Sequence, residues 1–67
     1  MTGTVVWFND RKGYGFIESD EDKQQIFVHY SGINKNGFKS LTEGSKVTFD
    51  TDTNNKGIKA VNVTVVN

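Results

Sequence analysis

The chain has no cysteine and only one histidine, His29. The first absence excludes a disulfide framework and any cysteine-held zinc. The second leaves little basis for a histidine-based metal site, so no metal and no cofactor are expected. A chain without disulfides suits a reducing compartment. No apolar run approaches the roughly 18–20 residues of a membrane span. The opening stretch MTGTVVWF lacks the basic region and apolar core of a signal peptide. The expectation is a soluble, cytoplasmic monomer. Its 67 residues form one domain, 1–67, near the lower end of what folds alone without staples. Neither sign of charge is in excess, because eight basic residues balance eight acidic ones. That balance counts against a nucleic-acid partner, since such proteins usually carry a basic footprint.

Helical patterning is also scarce. No window of eleven or more residues sustains apolar residues at i, i+3, i+4 and i+7. Short β-type segments recur instead, separated by turn chemistry. The first is GTVVWFN (Gly3–Asn9), rich in β-branched and aromatic residues. YGFIE (Tyr14–Glu18) follows the Lys12-Gly13 turn, and QIFVHY (Gln25–Tyr30) follows an acidic turn. KVTFDTDT (Lys46–Thr53) follows Glu43-Gly44, and KAVNVTVVN (Lys59–Asn67) follows the turn Asn54-Asn55-Lys56-Gly57. The longer Ser31–Ser45 connection holds turns at Asn36-Gly37 and Gly44, with at most a short helical turn near Ser31–Ile33. Five short strands and no helix predict a small closed barrel, which removes the exposed edges of an isolated sheet.

Side chains alternate between the two faces of a strand. In the second strand Tyr14 and Phe16 share a face opposite Gly15 and Ile17; in the third, Phe27 and His29 lie opposite Ile26 and Val28. Aliphatics and aromatics are therefore sorted to opposite sides. With Ile17, Ile26 and Val28 inside, Tyr14, Phe16, Phe27 and His29 point outward. The reverse assignment makes the aromatic face the core. Against it, imidazole is costly to bury without partners. Gly15, between two large rings, also has nothing to pack and marks a sharp bend or a close approach by another backbone. Val47, Phe49, Val61, Val63 and Val65 supply further inward residues at alternate positions.

An exposed aromatic patch calls for a partner. Rings interspersed with Asn9, Lys12, His29 and Lys39 suit nucleobases, which are flat and apolar on their faces and rimmed by donors and acceptors. Stacking contributes roughly 1–3 kcal/mol per base regardless of sequence. Four or five platforms would support about micromolar or tighter binding, near −8 kcal/mol. Attraction of this kind does not need a net positive charge.

KGYGFI (Lys12–Ile17) resembles the first ribonucleoprotein motif and IFVHY (Ile26–Tyr30) the second. With VVWFN upstream and GFKSLTEGSKVTFD downstream, the chain is similar to the bacterial cold shock proteins along essentially its whole length. The resemblance implies an all-β, five-stranded antiparallel OB-fold barrel, the cold shock domain. It implies binding of single-stranded RNA and DNA on the first three strands, with RNA-chaperone and gene-regulatory roles. The family's stacking positions fall on Trp7, Tyr14, Phe16, Phe27, His29, Tyr30 and Phe38, with Asn9 and Lys12 as polar contacts at the edge. The family pattern also points Val5 and Phe8 inward, which requires an irregularity that strict alternation does not supply.

This chain departs from the family in several places. Thr4 and Val6 stand where many members have lysines, which predicts weaker electrostatic affinity and a flatter salt dependence, by about 0.7 log units per lost contact. Tyr14 and Tyr30 replace the usual phenylalanines, and a phenol still stacks while adding a hydroxyl. Gly57-Ile58 replaces a usual Gly-Pro pair, leaving a less rigid last turn. ESDED (Glu18–Asp22) lacks the spacing and glycine of a calcium loop and reads as a solvated hairpin turn. His29 reads as a stacking or hydrogen-bonding group rather than a proton switch. No phosphate-loop lysine–hydroxyl pattern or catalytic triad is recognisable, so neither an enzyme nor a small-molecule substrate is expected. A single-strand DNA replication factor and a protein-interaction barrel remain as alternatives to the RNA-chaperone reading.

Overall fold

The computed structural model describes residues 1–34, 41–54 and 57–66. Five strands follow one another: β1 (Thr2–Asn9), β2 (Tyr14–Ser19), β3 (Gln25–His29), β4 (Lys46–Asn54) and β5 (Gly57–Val65). They close into a barrel in the order β1-β2-β3-β5-β4. All neighbours are antiparallel except β3 and β5, which pair in parallel through Phe27 with Lys59 and Val28 with Ala60. A parallel bridge from Ile33 to Val63 extends that seam. The expected five-stranded, helix-free barrel is therefore the observed one. A 3-10 turn at Tyr30–Gly32 is its only helical element among the described residues.

The sorting of side chains also follows the expectation. Ile17, Ile26 and Val28 are buried to 0–1% exposure, and Val5, Val47, Phe49 and Val63 to 0–2%, so the aliphatic face is the core. Fully burying each such side chain contributes roughly 1.5–3 kcal/mol. The same period-two geometry commits Tyr14, Phe16, Phe27 and His29 to the outside.

Two bulges break the alternation. In β1, Val5 pairs with Ile17 but Trp7 pairs with Phe16, so Val6 is an extra residue. Val5 therefore faces inward while Trp7 faces outward, and Phe8 packs against the core. This is the irregularity that the family pattern demanded. Beyond the bulge the backbone of Val5 turns to another partner, donating to the Ser45 carbonyl and accepting from the Gly44 N–H. Gly15 lies opposite Phe8, and a Cβ there would sit 2.2 Å from the Trp7 carbonyl oxygen. The close backbone approach expected at this glycine is thus present, and it is what allows β1 to coil over β2.

The second bulge corrects an expectation. In β5 the register slips between Thr48–Thr64 and Asp50–Val61, and Asn62 adopts a φ of 52°. Asparagine tolerates this left-handed conformation better than most residues, and its amide donates to the Asp50 carboxylate at 3.1 Å. Ala60 and Val63 consequently face inward, while the expected inward Val61 is only half-buried and lies outside the core cluster. Val65 is half-buried against that core. Strand ends differ too. β3 stops at His29 rather than Tyr30, because Tyr30 enters the 3-10 turn, and β5 begins two residues earlier than expected, at Gly57. The acidic segment forms the β2–β3 hairpin turn, where the Oγ of buried Ser19 accepts from the Glu21 N–H.

Candidate nucleic-acid interface

The outward positions of β1, β2 and β3 fall into register rows. One runs Trp7–Phe16–Phe27 and the other Asn9–Tyr14–His29. Directly paired residues in an antiparallel ladder place their side chains on one face about 4.5–5.5 Å apart. The two rows therefore merge into one patch of rings. Trp7 lies 5.6 Å from Tyr14 and 5.7 Å from Phe16 between centroids, and Phe27 lies 5.8 Å from Tyr14 and 6.0 Å from Phe16. Most of these pairs meet edge to face or tilted, at 57–76°, whereas Tyr14 and Phe27 are more nearly parallel at 28°. Edge-to-face contacts let each ring steady its neighbours. Trp7 is 37% exposed, and Tyr14, Phe16 and Phe27 are half-buried.

Tyr30 reaches the patch by another route. At the end of β3 the chain turns into the 3-10 helix, and the Tyr30 N–H donates to the Gly13 carbonyl at 2.7 Å. Its ring then lies over Gly13, where a Cβ would come within 2.6 Å of Cδ1. Gly13 has a φ of 76°, so glycine is required both for the turn and for the ring above it. Tyr30 remains 48% exposed, with its centroid 4.4 Å from that of His29.

His29 caps the 3-10 turn. Its Nδ1 accepts from the Ser31 N–H at 3.3 Å and lies 3.0 Å from the Ser31 Oγ. The turn thus occupies the Nδ1 edge of the ring, and Nε2 is the edge the turn does not use. Asn9 serves the turn between β1 and β2. Its Oδ1 accepts from the Lys12 N–H at 2.9 Å and its carbonyl accepts from the Gly13 N–H at 2.8 Å. The side-chain oxygen expected at the patch edge is thus already engaged in shaping the turn. Lys12 is exposed on the same turn.

Eight sequence-selected residues, Trp7, Asn9, Lys12, Tyr14, Phe16, Phe27, His29 and Tyr30, are therefore gathered on β1–β3 and their flanking turns. Phe38 and Lys39 lie outside the described residues. Lys59 of β5, which the sequence reading did not select, is the register partner of Phe27 and extends the first row by one strand. Only the parallel β3–β5 pairing brings it there, and no local sequence signal reveals that pairing. At the other end of β2, Asp20 forms an ion pair with Lys46 of β4 at 3.0 Å. The hydrogen-bonded Lys46 ammonium holds the Asp20 carboxyl below the usual carboxylate range. No helix among the described residues is long and apolar enough to cross a membrane.

Comparison with known proteins agrees with this geometry. Residues 1–66 match the family model for the 'Cold-shock' DNA-binding domain. The chain is 52% identical to the major cold shock protein of Micrococcus luteus over 62 residues, covering 92% of each chain. It is 55% identical to the major cold shock protein of Streptococcus pyogenes over 62 residues, covering 92% of this chain and 91% of the relative. Cold shock protein 1 of Lactiplantibacillus plantarum is 56% identical over 61 residues, 91% of each. A non-enzymatic barrel with this motif order, this ring patch and these relatives belongs to the cold-shock domain family.

Proposed function

We propose that this protein binds single-stranded RNA and DNA by stacking their bases on the ring patch, with little sequence selectivity, and acts as a passive RNA chaperone. The observation that carries this reading is the contiguous set Trp7, Tyr14, Phe16 and Phe27, turned outward over an aliphatic core. An apolar surface of that composition is costly to leave in water and suits flat, apolar partners. Trp7, Tyr14, Phe16, Phe27 and Tyr30 are the proposed platforms. His29 stacks or hydrogen-bonds through Nε2, and Lys12 meets phosphate or sugar. Asn9 acts at the edge and holds the turn, and Phe38 and Lys39 complete the expected set.

Bases in a duplex are already stacked and do not present both faces, so the open strand is preferred. That preference is itself a mechanism. Binding stabilises the unpaired state by RT ln(1 + [L]/Kd), about 2.7 kcal/mol at a hundredfold excess over Kd. Marginal hairpins melt under such a bias without nucleotide hydrolysis. Control of transcription and translation in the cytoplasm, by a monomer, follows as the proposed setting. The test is a titration that follows Trp7 fluorescence with a short oligothymidine, a matched oligouridine and the corresponding duplexes. Quenching by both single strands and much weaker quenching by duplex is expected. Quenching by DNA alone favours a replication factor, and indifference to every oligonucleotide favours a protein-interaction barrel.

A further inference from the structure

We infer that the phosphate-binding part of this surface extends onto β5 and that Lys59 supplies a cation that β1 lacks. The inference rests on the stacking reading above and adds a path for the backbone of the bound strand. Register partners define one outward row around the barrel: Trp7 on β1, Phe16 on β2, Phe27 on β3, Lys59 on β5 and Asp52 on β4. The inward partners one position along, Val28 and Ala60, are both buried, so Phe27 and Lys59 share the outer face. Neighbouring strands lie about 4.8 Å apart, which sets the lysine stem directly beside the Phe27 ring. A base stacked on Phe27 then has its sugar and phosphate within reach of the Lys59 ammonium.

The other basic residues near the rows are placed differently. Thr4 and Val6 give β1 no charge. Lys46 is held by Asp20, and Lys23 lies in the acidic hairpin turn beside Asp22. Arg11 and Lys12 sit on the β1–β2 turn, at one end of the patch. Lys59 has Asp52 as its partner across the next seam, yet no ion pair joins them, and Lys46–Asp20 is the only such pair among the described residues. Its ammonium is therefore available to an anion on the aromatic side. Asp52, one strand further, repels phosphate and sets the limit of the path at β5. The basic side of the interface thus flanks β3 on β5 rather than preceding the tryptophan on β1.

The experiment is a set of oligothymidine titrations between low and high salt on the wild type, Lys59→Gln, Lys59→Arg and Lys23→Gln, each first shown to unfold cooperatively in urea. Glutamine keeps most of the reach and removes the charge. Losing one phosphate contact on a single strand makes the slope of log K against log salt shallower by about 0.7. We expect that change in Lys59→Gln, wild-type slopes in Lys59→Arg and Lys23→Gln, and convergence of all four affinities at high salt. A wild-type slope in Lys59→Gln overturns the assignment while leaving the stacking reading intact. Equal flattening in Lys23→Gln overturns it as well, by showing a non-local charge effect. A wild type that does not bind removes both readings together.

Discussion

Gly15→Ala tests the reasoning at the place where fold and site depend on each other. A Cβ at this position would lie 2.2 Å from the Trp7 carbonyl oxygen and 2.7 Å from the Phe8 Cα. Ordinary contact needs about 3.5 Å, and both obstructing atoms belong to backbone, so neither can rotate away. β1 and β2 must separate by about 1 Å, which carries ladder hydrogen bonds of about 2.9 Å past their useful range. Overpacking costs about 1–3 kcal/mol, and each lost bond adds about 0.5–1.5 kcal/mol. The sum is about 2–5 kcal/mol, against about 3–10 kcal/mol of total stability for a domain of this size. Urea unfolding followed by Trp7 fluorescence is the assay. With a slope near 1 kcal/mol per molar for so small a protein, the midpoint falls by about 2–5 M, or the variant is unfolded in buffer. Gly44→Ala is the control. Gly44 has a φ of +86° but open space where a Cβ would stand, so only backbone strain of about 1–2 kcal/mol opposes alanine. The close approach is refuted if Gly15→Ala costs no more than Gly44→Ala.

Trp7→Ala and Phe27→Ala should each lower affinity for single strands by about 1–3 kcal/mol while leaving a cooperative unfolding transition; loss of folding in either variant would mean that the rings are structural. Val6→Lys adds a cation at the half-buried bulge residue next to Trp7, so binding should tighten at low salt and the salt slope steepen by about 0.7. An unchanged slope would show that phosphate does not pass that position. Asp20→Asn should be less stable than wild type at neutral pH, because the depressed carboxyl stabilises the fold above its unfolded value near pH 4. That gap closes as pH falls through the folded value and shrinks with salt, so a gap of equal size at pH 3 would point to another cause.

Much of this surface was legible because its signals are local. The motifs KGYGFI and IFVHY lie on consecutive strands, and their alternation separates Ile17, Ile26 and Val28 from Tyr14, Phe16, Phe27 and His29 without knowledge of the neighbours. Asn9 was harder to assign, since its polarity suits a ligand equally well. Only the Asn9–Lys12 and Asn9–Gly13 hydrogen bonds show its oxygens closing the turn. Val61 misled because alternation holds only while the register holds, and Asn62 interrupts it.

By itself, then, the sequence determined the number of strands, the aliphatic core and which rings leave it, because a period of two belongs to the extended chain wherever it sits. The tertiary structure alone decided where that period breaks and which distant residues meet. Trp7 faces outward through a bulge accommodated by Gly15 on another strand, Tyr30 closes over Gly13, and Lys59 reaches Phe27 through the parallel β3–β5 seam. Each of these depends on pairing between segments remote in sequence, and the energy that selects such pairing resides in the closed barrel rather than in any one strand.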